Sequence, residues 1–251
     1  MWEANVVQLA LYFQSVEGIV ADELFELGLA HVPETSQRSR TITPANPFLS
    51  AASATIDGLQ FVVQVQAGRF DVIVSVPQSA EVDLDAGLPT FECLPILEQM
   101  VNFVAAIAPK ALPTLRVALV ANLCKPVASY RDAADIVGDL LDIDVARDDL
   151  SDLSFQVNRR KPLDSGQEIN RLVRLGVITV QTLSVRMPHD GGAVSVSGNQ
   201  LGVALMLDFN TVPSAVPFSP PVQAALVGQL KDEILVVANA EKPIRSVLDN
   251  V

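Results

Sequence analysis

Histidine, cysteine and charge are all scarce in this chain. His31 and His189 are its two histidines. With no HExxH pair and no third imidazole, a zinc enzyme is not expected. His31 ends an apolar segment just before Pro33 and His189 lies in the turn-like MPHDGG, so both read as surface residues rather than bases or ligands. Cys93 and Cys124 form no CxxC and sit in the apolar stretches FECLPIL and VANLCKP. Buried free thiols are expected there, because free cysteine behaves as a small hydrophobe. The segments SGNQLG and DGGAVSVSG lack the Lys-Ser/Thr of a phosphate loop, and no GxSxG elbow is present. The acidic run GDLLDIDVARDDLSD gathers Asp139, Asp142, Asp144, Asp148, Asp149 and Asp152. It lacks the bend glycine and terminal glutamate of a calcium loop and reads as a solvated helix end and loop. No catalytic residue, metal site or cofactor is therefore assigned.

A membrane-spanning run is missing too. The longest uncharged stretch, between Asp208 and Lys231, contains Pro213, Pro217, Pro220 and Pro221, which break a spanning helix. The opening MWEANVVQLALYF has neither the basic n-region nor the cleavage site of a signal peptide. Together with free thiols, this leads us to expect a reducing cytoplasm.

What is present is apolar and acidic. Hydrophobic residues make up 49% and charged residues 18% of the 251, and mean hydropathy is +0.34. Such values indicate either a large core or a permanent interface, since obligate interfaces resemble a core cut in half. The formal charge of −12 repels phosphate backbones at long range and disfavours nucleic acid as a partner. The length suits one domain, or two fused half-sheets at about 1–128 and 129–251.

Periodicity supplies the elements. NVVQLALYF alternates as a strand, and Ile19, Leu24, Phe25 and Leu27 can line a short helix. The Ser/Thr/Pro-rich segment Pro33–Ala54 reads as a long loop. GLQFVVQVQAGRFDVIVSVP reads as a hairpin, about 61–66 and 69–76, turning at Ala67-Gly68. Leu94, Leu97, Met100, Val101 and Val104 form a helical stripe, with Pro95 in the first turn. TLRVALVANL is a strand apolar on both faces. Ser129 caps a helix over YRDAADIVGDLLDI. LSFQVNRRKPL, the long stretch Arg171–Met187 and LGVALMLDFN are strands, and Leu226, Leu230, Ile234 and Val237 mark a last helix over about 220–239. Ser165 and Glu168 have capping-box spacing. Because strands do not alternate regularly with helices, the expected class is α+β, a largely antiparallel sheet with three main helices on one face.

Two charged groups stand out. Arg159, Arg160, Arg174 and Arg186 lie on neighbouring strands and could form an anion site by bidentate pairing. Arg69 and Asp71 flank Phe70 on one strand, so they share a face and read as a framing charge pair that pins register. In order, VQAGRFDVIVSVP, an apolar helix, LRVALVANL, ALMLDFNTV and LKDEILVVANAEKPI resemble a sporadically distributed bacterial family of uncharacterised proteins of about this length. That resemblance implies a fold and a bacterial setting and carries no activity. The leading expectation is a non-enzymatic interaction or assembly protein, acting through self-association or a protein partner. The alternative is an enzyme or ligand-binding module built on the strand arginines.

Overall fold

The computed structural model describes residues 2–39, 47–77, 88–145, 153–186 and 194–249, with side chains described outside 181–199. Its elements in chain order are β1 (Glu3–Tyr12), α1 (Ala21–Leu29), β2 (Thr35–Arg38), β3 (Ser50–Ile56), β4 (Leu59–Gln66), β5 (Arg69–Ser75) and α2 (Cys93–Ile107). They continue with β6 (Arg116–Val127), α3 (Tyr130–Leu141), β7 (Ser154–Pro162), β8 (Glu168–Arg186), β9 (Val194–Thr211), α4 (Pro220–Ala238) and α5 (Pro243–Asp249). The strands form one nine-stranded sheet, ordered β2-β3-β4-β5-β1-β6-β9-β8-β7. Every neighbouring pair is antiparallel, which makes the chain α+β.

Alternation decides what each strand buries. Val7, Leu9 and Leu11 of β1, Phe70, Val72 and Val74 of β5, and Leu205, Leu207 and Phe209 of β9 are all fully buried. They share a core with Phe25 of α1, Leu97, Met100 and Phe103 of α2, and Leu230 and Ile234 of α4. The rings of Phe70 and Phe103 stack with centroids 5.9 Å apart. Gly28 lets α1 approach α2, because a Cβ there would lie 2.2 Å from the Phe103 ring. The hydrogen bonds that join α1, α3, α4 and α5 to strands engage strand residues of one parity. α1 meets the sheet through Ala21 N–H to Ser50 Oγ, and α3 through Tyr130 to Thr179. α4 does so through Glu233 to Lys161, and α5 through the Val247 carbonyl to Arg171.

Several expectations change. Five helices are described: the expected short helix is α1, the three main helices are α2, α3 and α4, and α5 after Pro243 is the addition. The segment expected as a loop from Pro33 to Ala54 contributes β2 and most of β3; its small Ser, Thr and Ala side chains mask the period of two. Leu27 and Leu94 are exposed, while Phe103 and Ile107 carry the α2 stripe in place of Leu94. Ser165 and Glu168 make no capping box: Asp164–Gly166 is the β7–β8 turn, with Gly166 at φ 79°, and Glu168 opens β8. Ser129 does cap α3, its hydroxyl accepting the Asp132 N–H at 3.2 Å.

Candidate functional site

The sheet's second parity carries a different population. Gln64, Asp71, Ala10, Ala118, Asn210, Asn170 and Arg160 run in register across seven strands. Between Glu3 and Glu168 at its rims, this face holds Gln, Asn, aliphatic side chains, Tyr12, four arginines and two aspartates, with no Lys or Glu among the described residues. The arginines are Arg69, Arg116, Arg160 and Arg174, and the acids are Asp71 and Asp208. The charge of −12 therefore resides elsewhere. Charge depletion with Arg retained is the composition found at interface cores.

Asp71 is 1% exposed at the centre of this face. Its Oδ1 accepts from Arg69 Nε at 2.9 Å, Arg69 Nη2 at 2.7 Å and Gln8 Nε2 at 2.9 Å. Burial disfavours the Arg69 cation, yet the hydrogen bonds and charge of Asp71 hold its pKa above the ordinary value. The expected framing pair thus takes the form of a buried three-donor node linking β5 to β1. Next to it, Tyr12 lies between Arg69 and Arg116, whose guanidinium carbons are 5.2 and 5.1 Å from the ring centroid.

The four arginines expected to converge are divided by register. Arg160 lies opposite Asn170 and Arg174 opposite Gln156, so the two share the second face about 13 Å apart along the strands. Arg160 faces Glu168 at 3.8 Å, and Arg174 donates to Gln156 Oε1 at 3.0 and 2.7 Å. Arg159 takes the opposite parity, across from Arg171. Arg186 ends β8 opposite Val194, and its side chain lies outside the described residues.

Arg171 is a more deeply buried cation than any of these. It is fully buried, its Nη1 is 3.6 Å from Glu233 Oε2, and Glu233 also takes Lys161 Nζ at 2.6 Å. Burial lowers its pKa, Glu233 opposes that shift, and Arg159 adds to it. A signal for it existed in the sequence: Arg171 shares parity with the apolar Val173, Leu175 and Val177, which places a cation on the covered face.

The third feature is a backbone one. The last β6–β9 pair is Val127 with Leu201, and the β7–β8 ladder ends at Ser154 with Gly176. Beyond these points, Ile178–Arg186 pairs only with β9 and Val194–Gln200 only with β8 among the described strands. They form an arm about 30 Å long at ~3.3 Å per residue. No charge occurs between Arg174 and Arg186 on β8, nor from Val194 to Leu207 on β9. Val180, on the arm, is 39% exposed.

The remaining candidates form no metal-ligating cluster among the described residues. Both cysteines are free; burial pushes the Cys93 thiol up to about 12, and burial with the nearby Glu3 charge pushes Cys124 to about 11. His31 is exposed, and His189 lies outside the described residues. Asp135, Asp139, Asp142 and Asp144 line a cavity of about 820 Å³ with Lys242 and Glu241. Asp142 there is paired with Lys242 and Arg245, and chiefly the Lys242 hydrogen bond lowers its pKa. Among the described residues no three His, Cys, Asp or Glu side chains gather as metal ligands would. Likewise no described helix is long and apolar enough to cross a membrane. Set against protein families, curated proteins and solved structures, the chain matches none.

Proposed function

We propose that this chain is a non-enzymatic assembly protein that self-associates through the β8–β9 arm. The observation that carries this reading is the pair of arm edges, Ile178–Arg186 and Val194–Gln200, which no other described strand pairs and whose one charge is Arg186. An isolated two-stranded ribbon is marginal in water, and exposed edges are ordinarily blunted by lysine, proline or a covering element. Here the described arm carries no lysine and no proline. A second copy is the favoured occupant on electrostatic grounds. Two chains of charge −12 repel each other, and an arm whose described residues carry no acid is where they can meet with the least repulsion. Strand addition along an edge satisfies the free N–H and C=O groups on both copies at once. A reducing cytoplasm fits the two free thiols.

Native mass spectrometry of the full chain tests the reading, alongside a variant in which Asn-Gly replaces residues 181–199 and joins Val180 to Gln200. The expected result is a defined homo-oligomer for the full chain and a folded monomer for the shortened one. A monomeric full chain, or an oligomer indifferent to the shortening, overturns it.

A further inference from the structure

Arg69, Tyr12 and Arg116 stand side by side on β5, β1 and β6, with Tyr12 in register with both arginines. The outer two strands lie about 10 Å apart, so their guanidinium groups can approach one ligand from opposite sides of the phenol. Arg69 is positioned before any ligand arrives, because its Nε and Nη2 are committed to Asp71. That leaves its Nη1 for another acceptor. Arg116 is the unusual member. The chain has 29 Asp and Glu residues, yet among the described residues Arg116 forms no ion pair or hydrogen bond and rests over the Tyr12 ring. Its Nε is shut away from solvent without an acceptor. A shielded guanidinium donor without an acceptor carries a desolvation cost that an incoming anion would offset. The Tyr12 hydroxyl likewise has no hydrogen-bond partner among the described residues, and it is carried on the ring that the two cations flank.

We infer that Arg69, Tyr12 and Arg116 form a binding site for an oxyanion of phosphate type. Donors offered side by side from three strands suit a tetrahedral group with several acceptor oxygens better than a planar carboxylate with two. Asp71 bounds the site on one side, its charge already matched by Arg69 and Gln8. Asp208, which receives the Asn210 amide at 2.9 Å, bounds it further along the sheet. These two acids disfavour a large polyanion and suit a single small anionic group. The site is independent of the β8–β9 arm and does not depend on self-association.

The test is titration of the full chain with inorganic phosphate, followed by calorimetry and by amide chemical shifts, with acetate as the carboxylate probe. Saturable phosphate binding that perturbs Tyr12 and Arg116 amides, with weaker acetate binding, is the expected result. Arg116→Ala should weaken it by about tenfold or more, the loss of one charge-assisted hydrogen bond. Arg116→Lys should weaken it less, and Arg174→Ala should leave it unchanged. If Arg116→Ala fails to fold, Tyr12→Phe and Arg116→Lys carry the comparison. Overturning results are the absence of saturable phosphate binding, binding equal in Arg116→Lys, Tyr12→Phe and the parent, or acetate binding as tight as phosphate. The oligomeric state of each variant, read in the same samples, separates this site from the arm: loss of phosphate binding with the oligomer intact supports both readings.

Discussion

The body of the sheet and its β8–β9 arm are built from similar residues and held in place differently. In the body, β1 lies between β5 and β6, and its alternate residues Val7, Leu9 and Leu11 are sealed against helices. In the arm, Val, Thr, Ser and Leu recur with the same period, but each strand has one neighbour among the described strands. Sequence period alone does not distinguish a strand that is buried from one that awaits a partner; neighbour count does. Stability in the body should therefore respond to side-chain volume, and the arm to edge chemistry.

Breaking the body should give the largest effect. Phe103→Ala removes the ring that stacks on Phe70 and is expected to cost ~3–5 kcal/mol, read from chemical unfolding. Glu233→Ala leaves buried Arg171 without its carboxylate, and breaking a buried pair from one side costs ~3–5 kcal/mol. Replacing Arg171 by Met in the same chain should recover much of that loss. Ser129→Ala, which deletes the α3 cap, should cost about 1 kcal/mol. Val180→Lys on the arm should barely move the unfolding midpoint while shifting the protein toward monomer in sedimentation, because a lysine blunts a free edge.

The thiols sharpen the same contrast by pH. Cys93 and Cys124 ionise near 12 and 11 when folded, against an ordinary value of 9.0. Above pH 9 the unfolded chain releases these protons and the folded chain keeps them. Stability should therefore be fully present below pH 9 and fall as pH rises toward 11. At pH 8 an alkylating reagent should label neither thiol until denaturant is added.

Much of the body was legible in the sequence because its signals are local. The β4–β5 hairpin follows from alternating valines around Gly68, and α2 from apolar spacing between Pro95 and Pro109. β2 and β3 were illegible because Ser, Thr and Ala give no amphipathic contrast, and their pairing is set by β4. The arginines show where sequence stops. Parity alone separates Arg159 from Arg160, and that could be read. The register that sets Arg160 opposite Asn170, and brings Arg69 and Arg116 to either side of Tyr12, depends on strands far apart in the chain. The arm was visible as a long strand region, but its lack of neighbours depends on where β6 and β7 end.

Amide hydrogen exchange across Ile178–Arg186 and Val194–Gln200, followed as the full chain is diluted, tests self-association most directly. Edge pairing between copies predicts that these amides are protected at high protein concentration and lose protection on dilution, while β1 and β6 stay protected throughout. Arm amides that exchange rapidly at every concentration would contradict it.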